Sequence, residues 1–284
     1  MDNHQEIERM RSEDGMPIKT VTTLKKALGI RPKEVVSLVG AGGKTSLMFA
    51  LARELTQKGK VVITSTTTRI FPPSSSETAC VFVSNDEDDI IEFILTNAGA
   101  KGCITIGSEL LTDSGKLDGV NPLMVSRMIG LNPVGHVIIE ADGASQKPLK
   151  APNPEYEPVI PSCTTVVIPV AGIDALGSRL SEEQVFRSEI VSQITGLPLG
   201  EVVSADTIAR LILHPSGLAA GSPAKARIIP FINKMDLSPD RSAARDLAHA
   251  ILAGEHPRID RVVLGQARLF PPVVEVIYRQ ELGP

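Results

Sequence analysis

The chain has 284 residues, a formal net charge of −4 and 3% aromatic residues without a Trp. With a pI near 5.8 it offers no basic field to nucleic acid or an anionic membrane, and so few rings leave little for stacking on bases. No apolar run approaches the thickness of a bilayer, and Met1 to Arg11 is polar where a signal peptide needs an apolar segment, so a cytoplasmic protein binding neither nucleic acid nor membrane is expected.

The length suits one large α/β domain or two small ones. The patterns below favour an N-terminal tail (1–22) and a single domain (23–284) with inserted loops at about 108–122 and 144–162. Cys80, Cys103 and Cys163 lack metal-ligand spacing, and their odd number argues against a disulfide framework, so they are expected as buried structural thiols.

Taken in order, Met1 to about Lys19 is charged and unpatterned, and Thr23 to Leu28 reads as a short helix ended by Gly29. From Val35 a β-branched apolar run leads into Gly40-Ala41-Gly42-Gly43-Lys44-Thr45-Ser46, and a helix-forming stretch follows from Leu47 to Lys58. Strand, tight loop and helix in that order are the context of a phosphate-binding loop. Glycines let successive N–H groups converge on a phosphate, and the helix adds its unpaired N–H groups and positive dipole end. Lys44 would reach the terminal phosphates and the Thr45 hydroxyl would hold Mg²⁺. Six residues before the Lys, where a Gly is usual, stands Leu38, so the loop is a shortened form.

Val61 to Ile63 is a second strand, followed by Thr64-Ser65-Thr66-Thr67-Thr68-Arg69. These hydroxyls could bond phosphate, metal-bound water or a second substrate, with Arg69 as an anion clamp; equally, they could be strand residues with solvated hydroxyls. Cys80 to Val83 and Cys103 to Ile106 read as strands and Asp86 to Leu95 as a helix. Leu110 to Asn121 is a turn-rich excursion whose Lys116 is expected to be solvated.

His136 to Gly143 is an apolar strand ending in acids, as required of the strand that brings a carboxylate to a Mg²⁺ beside Thr45. Glu140 and Asp142 compete for that metal role, and the Gly143 amide is placed to sense a γ-phosphate, so Lys44, Glu140, Asp142 and Gly143 form the expected catalytic set. Gln146 to Pro161 is too rich in proline for a helix, and its Lys147 and Lys150 either meet a second ligand or merely add charge. Thr165 to Val170 is a strand, Ser181 opens a helix reaching about Ile194, and Ser204 caps another from Ala205 to Leu213. A strand then ends in Asn233-Lys234-Met235-Asp236, the Asn-Lys-x-Asp pattern of guanine recognition. The Asp carboxylate accepts from guanine N1–H and the exocyclic amine, the Lys stem covers one face of the base, and Asn braces the loop. Pro239 to Leu252 is a helix and Arg258 to Gly265 a last strand.

The set Val-Gly-Ala-Gly-Gly-Lys-Thr (39–45), the threonine run (64–68), Glu-Ala-Asp-Gly-Ala with Pro-Leu-Lys-Ala-Pro (140–152), Glu-Pro-Val-Ile-Pro (157–161) and Asn-Lys-Met-Asp (233–236) resembles the YqeC-type proteins. That family is described as accessory to selenium-dependent molybdenum hydroxylases, and the resemblance runs from about Leu24 to beyond Gly265. The Glu-x-x-Gly form of 140–143 resembles the metallochaperone GTPases, whereas the shortened loop resembles that of Mur-type ATP-dependent ligases, which lack the guanine motif. These resemblances imply an α/β fold of the P-loop NTPase kind, a mostly parallel central sheet flanked by helices. They also imply Mg²⁺ and GTP as ligands in preference to ATP, GTP hydrolysis, and assistance in maturation of, or cofactor insertion into, a molybdenum hydroxylase. The hydroxylase or its maturation factors would be the protein partner. The alternatives are a kinase or ligase acting on a small acidic substrate, and a nucleotide-gated scaffold without turnover.

Overall fold

The computed structural model describes residues 22–56, 60–97, 102–238 and 241–279. The expected tail therefore falls, apart from its last residue, outside the described residues. Among the described residues the main strands are β1 (Val35–Gly40), β2 (Val61–Thr66), β3 (Cys80–Val83), β4 (Cys103–Gly107), β5 (Val134–Glu140), β6 (Val166–Gly172), β7 (Phe231–Asn233), β8 (Arg261–Gly265) and β9 (Val273–Tyr278). They form one sheet in the order β9-β8-β7-β6-β1-β5-β2-β4-β3, and the short strand Arg227–Ile228 also pairs with β6. Every pairing along the sheet is parallel except β8 with β9. The fold is thus α/β, of the P-loop NTPase kind, with a mostly parallel central sheet.

Burial on both faces explains why the central strands read as unbroken apolar runs: β1, β2, β5 and β6 are buried at every position. Val36 and Leu38 pack with α1 (Leu24–Ala27) and α2 (Lys44–Leu55) on one face. Val35 and Val39 pack into the opposite core. That second layer receives α3 (Glu87–Thr96), α4 (Pro122–Gly130), α5 (Ser188–Thr195), α6 (Ala205–Leu213) and α7 (Ser242–Ala253). No helix of the described residues is long and apolar enough to cross a membrane.

The chain leaves β1 towards β2 on one side and fills β6 to β9 on the other, so β1 lies where the strand order reverses. In open parallel sheets the ligand crevice forms at that point, outside the carboxyl ends of the strands. The ends of β1, β5, β6 and β7 carry Gly40, Glu140, Gly172 and Asn233 to it.

Several expected elements change. Ser181 caps no helix: residues 181–184 turn, Val185–Phe186 pairs with Leu149–Lys150, and α5 starts only at Ser188. The cause is Glu182, whose carboxylate accepts from the N–H groups of Arg187 and Ser188 at 2.9 Å each and so caps the helix from outside. Arg187 itself is left-handed, with φ 58°, which breaks any helix running through it. Helix α4 was not foreseen, and β8 is not the last strand, since β9 returns antiparallel to it. The strand before Asn233 is split at Pro230, which lacks the N–H a continuous ladder needs. Of the cysteines only Cys103 is fully buried, while Cys80 and Cys163 are half-buried.

Candidate functional site

The loop between β1 and α2 is possible only with glycine. Gly40, Gly42 and Gly43 have φ of 92°, 80° and 115°, where a side chain is strained. A Cβ on Gly42 would also stand 2.2 Å from the Gly172 nitrogen, and one on Gly43 2.5 Å from Asn233 Nδ2. The loop is thus pressed against β6 and β7, and Ala41 N–H donates to the Val170 carbonyl at 2.9 Å. Helix α2 begins at Lys44 with no side chain capping it, which aims its first N–H groups at the crevice beside Thr45 and Ser46.

The two acids of β5 and its following loop have different partners. Thr45 Oγ1 donates to Glu140 Oε2 at 2.7 Å. Asp142 Oδ2 instead accepts from Gly40 N–H at 2.9 Å and lies 2.9 Å from Lys150 Nζ. Lys44 is buried, donates to the Gly40 carbonyl at 2.6 Å, and pairs with Asp142 at 3.0 Å and Glu140 at 3.5 Å. Burial alone would lower the Lys44 pKa, but the two carboxylates outweigh it and hold it raised. For Glu140 burial wins over the pull of Lys44, and its carboxyl is pushed up. The two shifts agree if Lys44 serves mainly Asp142, its nearer partner, leaving Glu140 short of positive charge.

That deficit bears on the fit of a metal. A hydroxyl and an under-compensated carboxylate, both hard oxygen donors, suit Mg²⁺, which takes its remaining ligands from water and phosphate. Thr45 and Glu140 are such a pair. Asp142, also expected as a ligand, is occupied by Gly40, Lys44 and Lys150. Among the described residues no cluster of three or more His, Cys, Asp or Glu could hold a metal by itself.

Beyond Asp142 the charges continue in alternation. Lys150, fully buried, donates to the Gly143 carbonyl and to Glu157 Oε2, each at 2.6 Å. Glu157 also takes Arg187 and lies 3.4 Å from the Gly143 nitrogen, which donates to it. Lys150 is therefore a positioning residue for the segment around Gly143, and not the solvated charge that its proline-rich loop suggests. Lys147 donates to the Glu183 carbonyl.

At the other end Asn233 is buried, donates from Nδ2 to the Gly42 carbonyl at 2.8 Å and accepts at Oδ1 from Ala267 N–H at 2.9 Å. Lys234, left-handed with φ 63°, pairs with Asp174 at 2.7 Å. Asp236 follows in a short 3₁₀ turn, exposed and lining the same crevice as the phosphate loop. Arg268 Nε donates to Ser46 Oγ at 3.1 Å, closing the crevice from the β8–β9 loop.

The family model for the YqeC protein matches residues 36–189, just over half of the chain. A protein of Escherichia coli (strain K12) described as "Uncharacterized protein YqeC" is 34% identical over 239 residues, covering 80% of this chain and 90% of that protein. The chain belongs to the YqeC family. No solved structure matches it. The segment matched by the YqeC model holds the phosphate loop, Glu140, Asp142, Lys150, Glu157 and Arg187, and stops before Asn233.

In this YqeC-family chain one crevice of about 1320 Å³ joins these parts, running from Asp236 and Arg268 past Lys44 and Thr45 to Arg69, Lys116 and Tyr156. Most of the threonine run is spent inside the protein. Thr64 bonds Thr105 at 2.8 Å, Ser65 the Ile106 carbonyl at 2.7 Å, Thr66 the Glu140 carbonyl at 2.8 Å and Thr67 the Val159 carbonyl at 2.7 Å. Of the five, Thr68 lines the crevice. Sequence reasoning missed Glu157, Arg187, Ala267 and Arg268 as site residues; only Glu157 stood in a quoted motif, and the others carry no local signal.

Proposed function

We propose that this protein binds GTP with Mg²⁺ and hydrolyses it, in the cytoplasm, to time the maturation of a selenium-dependent molybdenum hydroxylase. The observation that carries the reading is the Asn233 bridge: a single buried amide fastens the loop built for phosphates to the loop that ends in Asp236. A phosphate cradle and a guanine-selective carboxylate are thereby held in one crevice. Family membership supports the reading through the hydroxylase association described for YqeC-type proteins.

Each residue has a physical task. Gly40 to Gly43 and the start of α2 present N–H groups to the phosphates, and Lys44 offsets charge developing on the β- and γ-phosphates. Thr45 and Glu140 would hold Mg²⁺, which would supply positive charge against that of the phosphates. Gly143, held at its carbonyl by Lys150, would turn its N–H from the long contact with Glu157 to the γ-phosphate. Asp236 would select guanine, because adenine does not present two donors at that edge.

The test is calorimetric titration of the purified protein with GTP and ATP, with and without Mg²⁺, together with phosphate release. Tighter binding of GTP that depends on Mg²⁺ is expected. Equal affinity for the two nucleotides removes the guanine assignment, and binding of neither removes the nucleotide reading. For the cellular role, deletion should lower the activity of the hydroxylase without lowering its amount.

A further inference from the structure

The crevice is larger than one nucleotide needs. Pockets that bury a single small ligand commonly hold about 300–1,000 Å³, and this one holds about 1320 Å³. Its surplus lies beyond the phosphate loop and is lined by residues that the nucleotide reading leaves unused.

Basic side chains outnumber acidic ones among them. In a chain of net charge −4, this end presents Arg69, Lys116, Lys147 and Arg187. Arg69 pairs with Asp118 at 3.3 Å, and Arg187 with Glu157. Lys116 lies 5.1 Å above the Phe71 ring, and Lys147 donates to a backbone carbonyl. Among the described residues neither lysine has a carboxylate within ion-pair distance, and since the Lys147 charge acts on Glu182, Lys116 is the cation that leaves the lobe with positive charge to spare. Rings alternate with these cations: the Arg187 guanidinium carbon lies 5.5 Å from the centre of Tyr156 and 4.5 Å from that of Phe186. Phe71 and Tyr156 are 55% and 57% exposed, so their ring faces are open to the crevice. Exposed ring faces beside cations attract a planar group that carries negative charge.

The lobe is also wired to the phosphate end. Glu157, the partner of Arg187, accepts from Gly143 N–H at 3.4 Å and from Lys150 at 2.6 Å. Gly143 and Arg187 thus share one carboxylate.

We infer that this lobe, bounded by Arg69, Phe71, Lys116, Tyr156 and Arg187, is a second ligand site that takes an anionic planar heterocycle, bearing phosphate or carboxylate, beside the terminal phosphate of the nucleotide. The inference rests on the nucleotide reading for what occupies the other end of the crevice.

The probe is flavin mononucleotide, followed by its own fluorescence on protein saturated with Mg²⁺ and a non-hydrolysable GTP analogue. Uncharged riboflavin serves as the control and orotate as a carboxylate-bearing competitor. Flavin mononucleotide should bind at least tenfold more tightly than riboflavin, and the double substitution Arg69→Ala/Lys116→Ala should erase that difference while the affinity for the GTP analogue stays unchanged. Displacement by orotate assigns the anion preference to carboxylates, and its failure to displace assigns it to phosphate. Equal binding of the two flavins, a double variant that keeps the difference, or binding of neither flavin mononucleotide nor orotate overturns the second site. Titration of the GTP analogue alone separates the two readings: its failure with flavin mononucleotide still bound strikes only the nucleotide assignment, and the reverse strikes only the second site.

Discussion

Asn233 Nδ2 donates to the Gly42 carbonyl at 2.8 Å across 191 positions of sequence, and the same amide accepts from Ala267 N–H at 2.9 Å. One side chain therefore sets the distance between the phosphate loop and the loops at the opposite end of the crevice. Asn233→Ala would leave two buried backbone groups unpaired, each costing about 1–3 kcal/mol. A stability loss of about 2–6 kcal/mol in urea denaturation is expected, with GTP binding weakened at least tenfold. A wild-type midpoint and wild-type affinity together would show that the bridge holds nothing.

The Thr45–Glu140 contact gives a different signature. Glu140→Gln keeps the shape and can still accept from Thr45, but removes a buried charge for which Lys44 supplies too little compensation. The unliganded protein should be as stable as the wild type or more so, whereas GTP affinity should lose its dependence on Mg²⁺. Turnover should fall by roughly 10²–10³, the usual effect of removing one electrostatic contributor at a reacting phosphate or carbonyl. Titrations in Mg²⁺ and in EDTA decide this, and a variant with undiminished Mg²⁺ dependence would place the metal elsewhere.

These two contacts mark how far the sequence could be read. β1, the glycine loop and α2 were legible because glycine spacing, an apolar run and a helix-forming stretch are local signals, and the structure places them in that order. Asn233 and Asp236 were legible as a motif at a strand end. The network of Lys150, Glu157 and Arg187 was not, because its pairs join residues 7 and 30 positions apart and no periodicity announces them. Helix α4, which starts directly after the turn-rich excursion, was passed over although Asn121 accepts from Leu123 N–H as its cap and Pro122 stands at its first turn. β9 was hidden behind Pro271 and Pro272. The threonine run was ambiguous for a sound reason: β2 extends to Thr66, so strand propensity and hydroxyl chemistry coincide in the same residues.

Asp236 is exposed in the crevice, and in the proposed guanine complex its carboxylate would meet the base. Asp236→Asn turns one acceptor into a donor, which matches the carbonyl that xanthine presents where guanine has its amine. GTP affinity should fall at least tenfold, about 1.4 kcal/mol or more, and xanthosine triphosphate should become the preferred ligand in competition titrations. An unchanged order of preference would remove Asp236 from base recognition.

Glu157 links the stability of the crevice to pH. Burial opposes its charge, but the hydrogen bonds from Arg187 and Lys150 outweigh that and hold its carboxyl below the usual glutamate range. A carboxyl whose pKa is lowered by folding contributes fully above its unfolded value, about 4.3, and loses that contribution as pH falls through the lower folded value. Glu157→Gln leaves Lys150, fully buried, with Asp142 as its remaining acidic partner. At neutral pH the variant should be less stable by about 2–4 kcal/mol, somewhat under the loss from fully orphaning a buried charge. Below pH about 4 the gap between the two proteins should narrow, because the wild type then protonates the group that the variant lacks. Urea denaturation at pH 7 and pH 3.5 measures both gaps, and a gap that does not change with pH would mean that Glu157 acts there through its shape and not its charge.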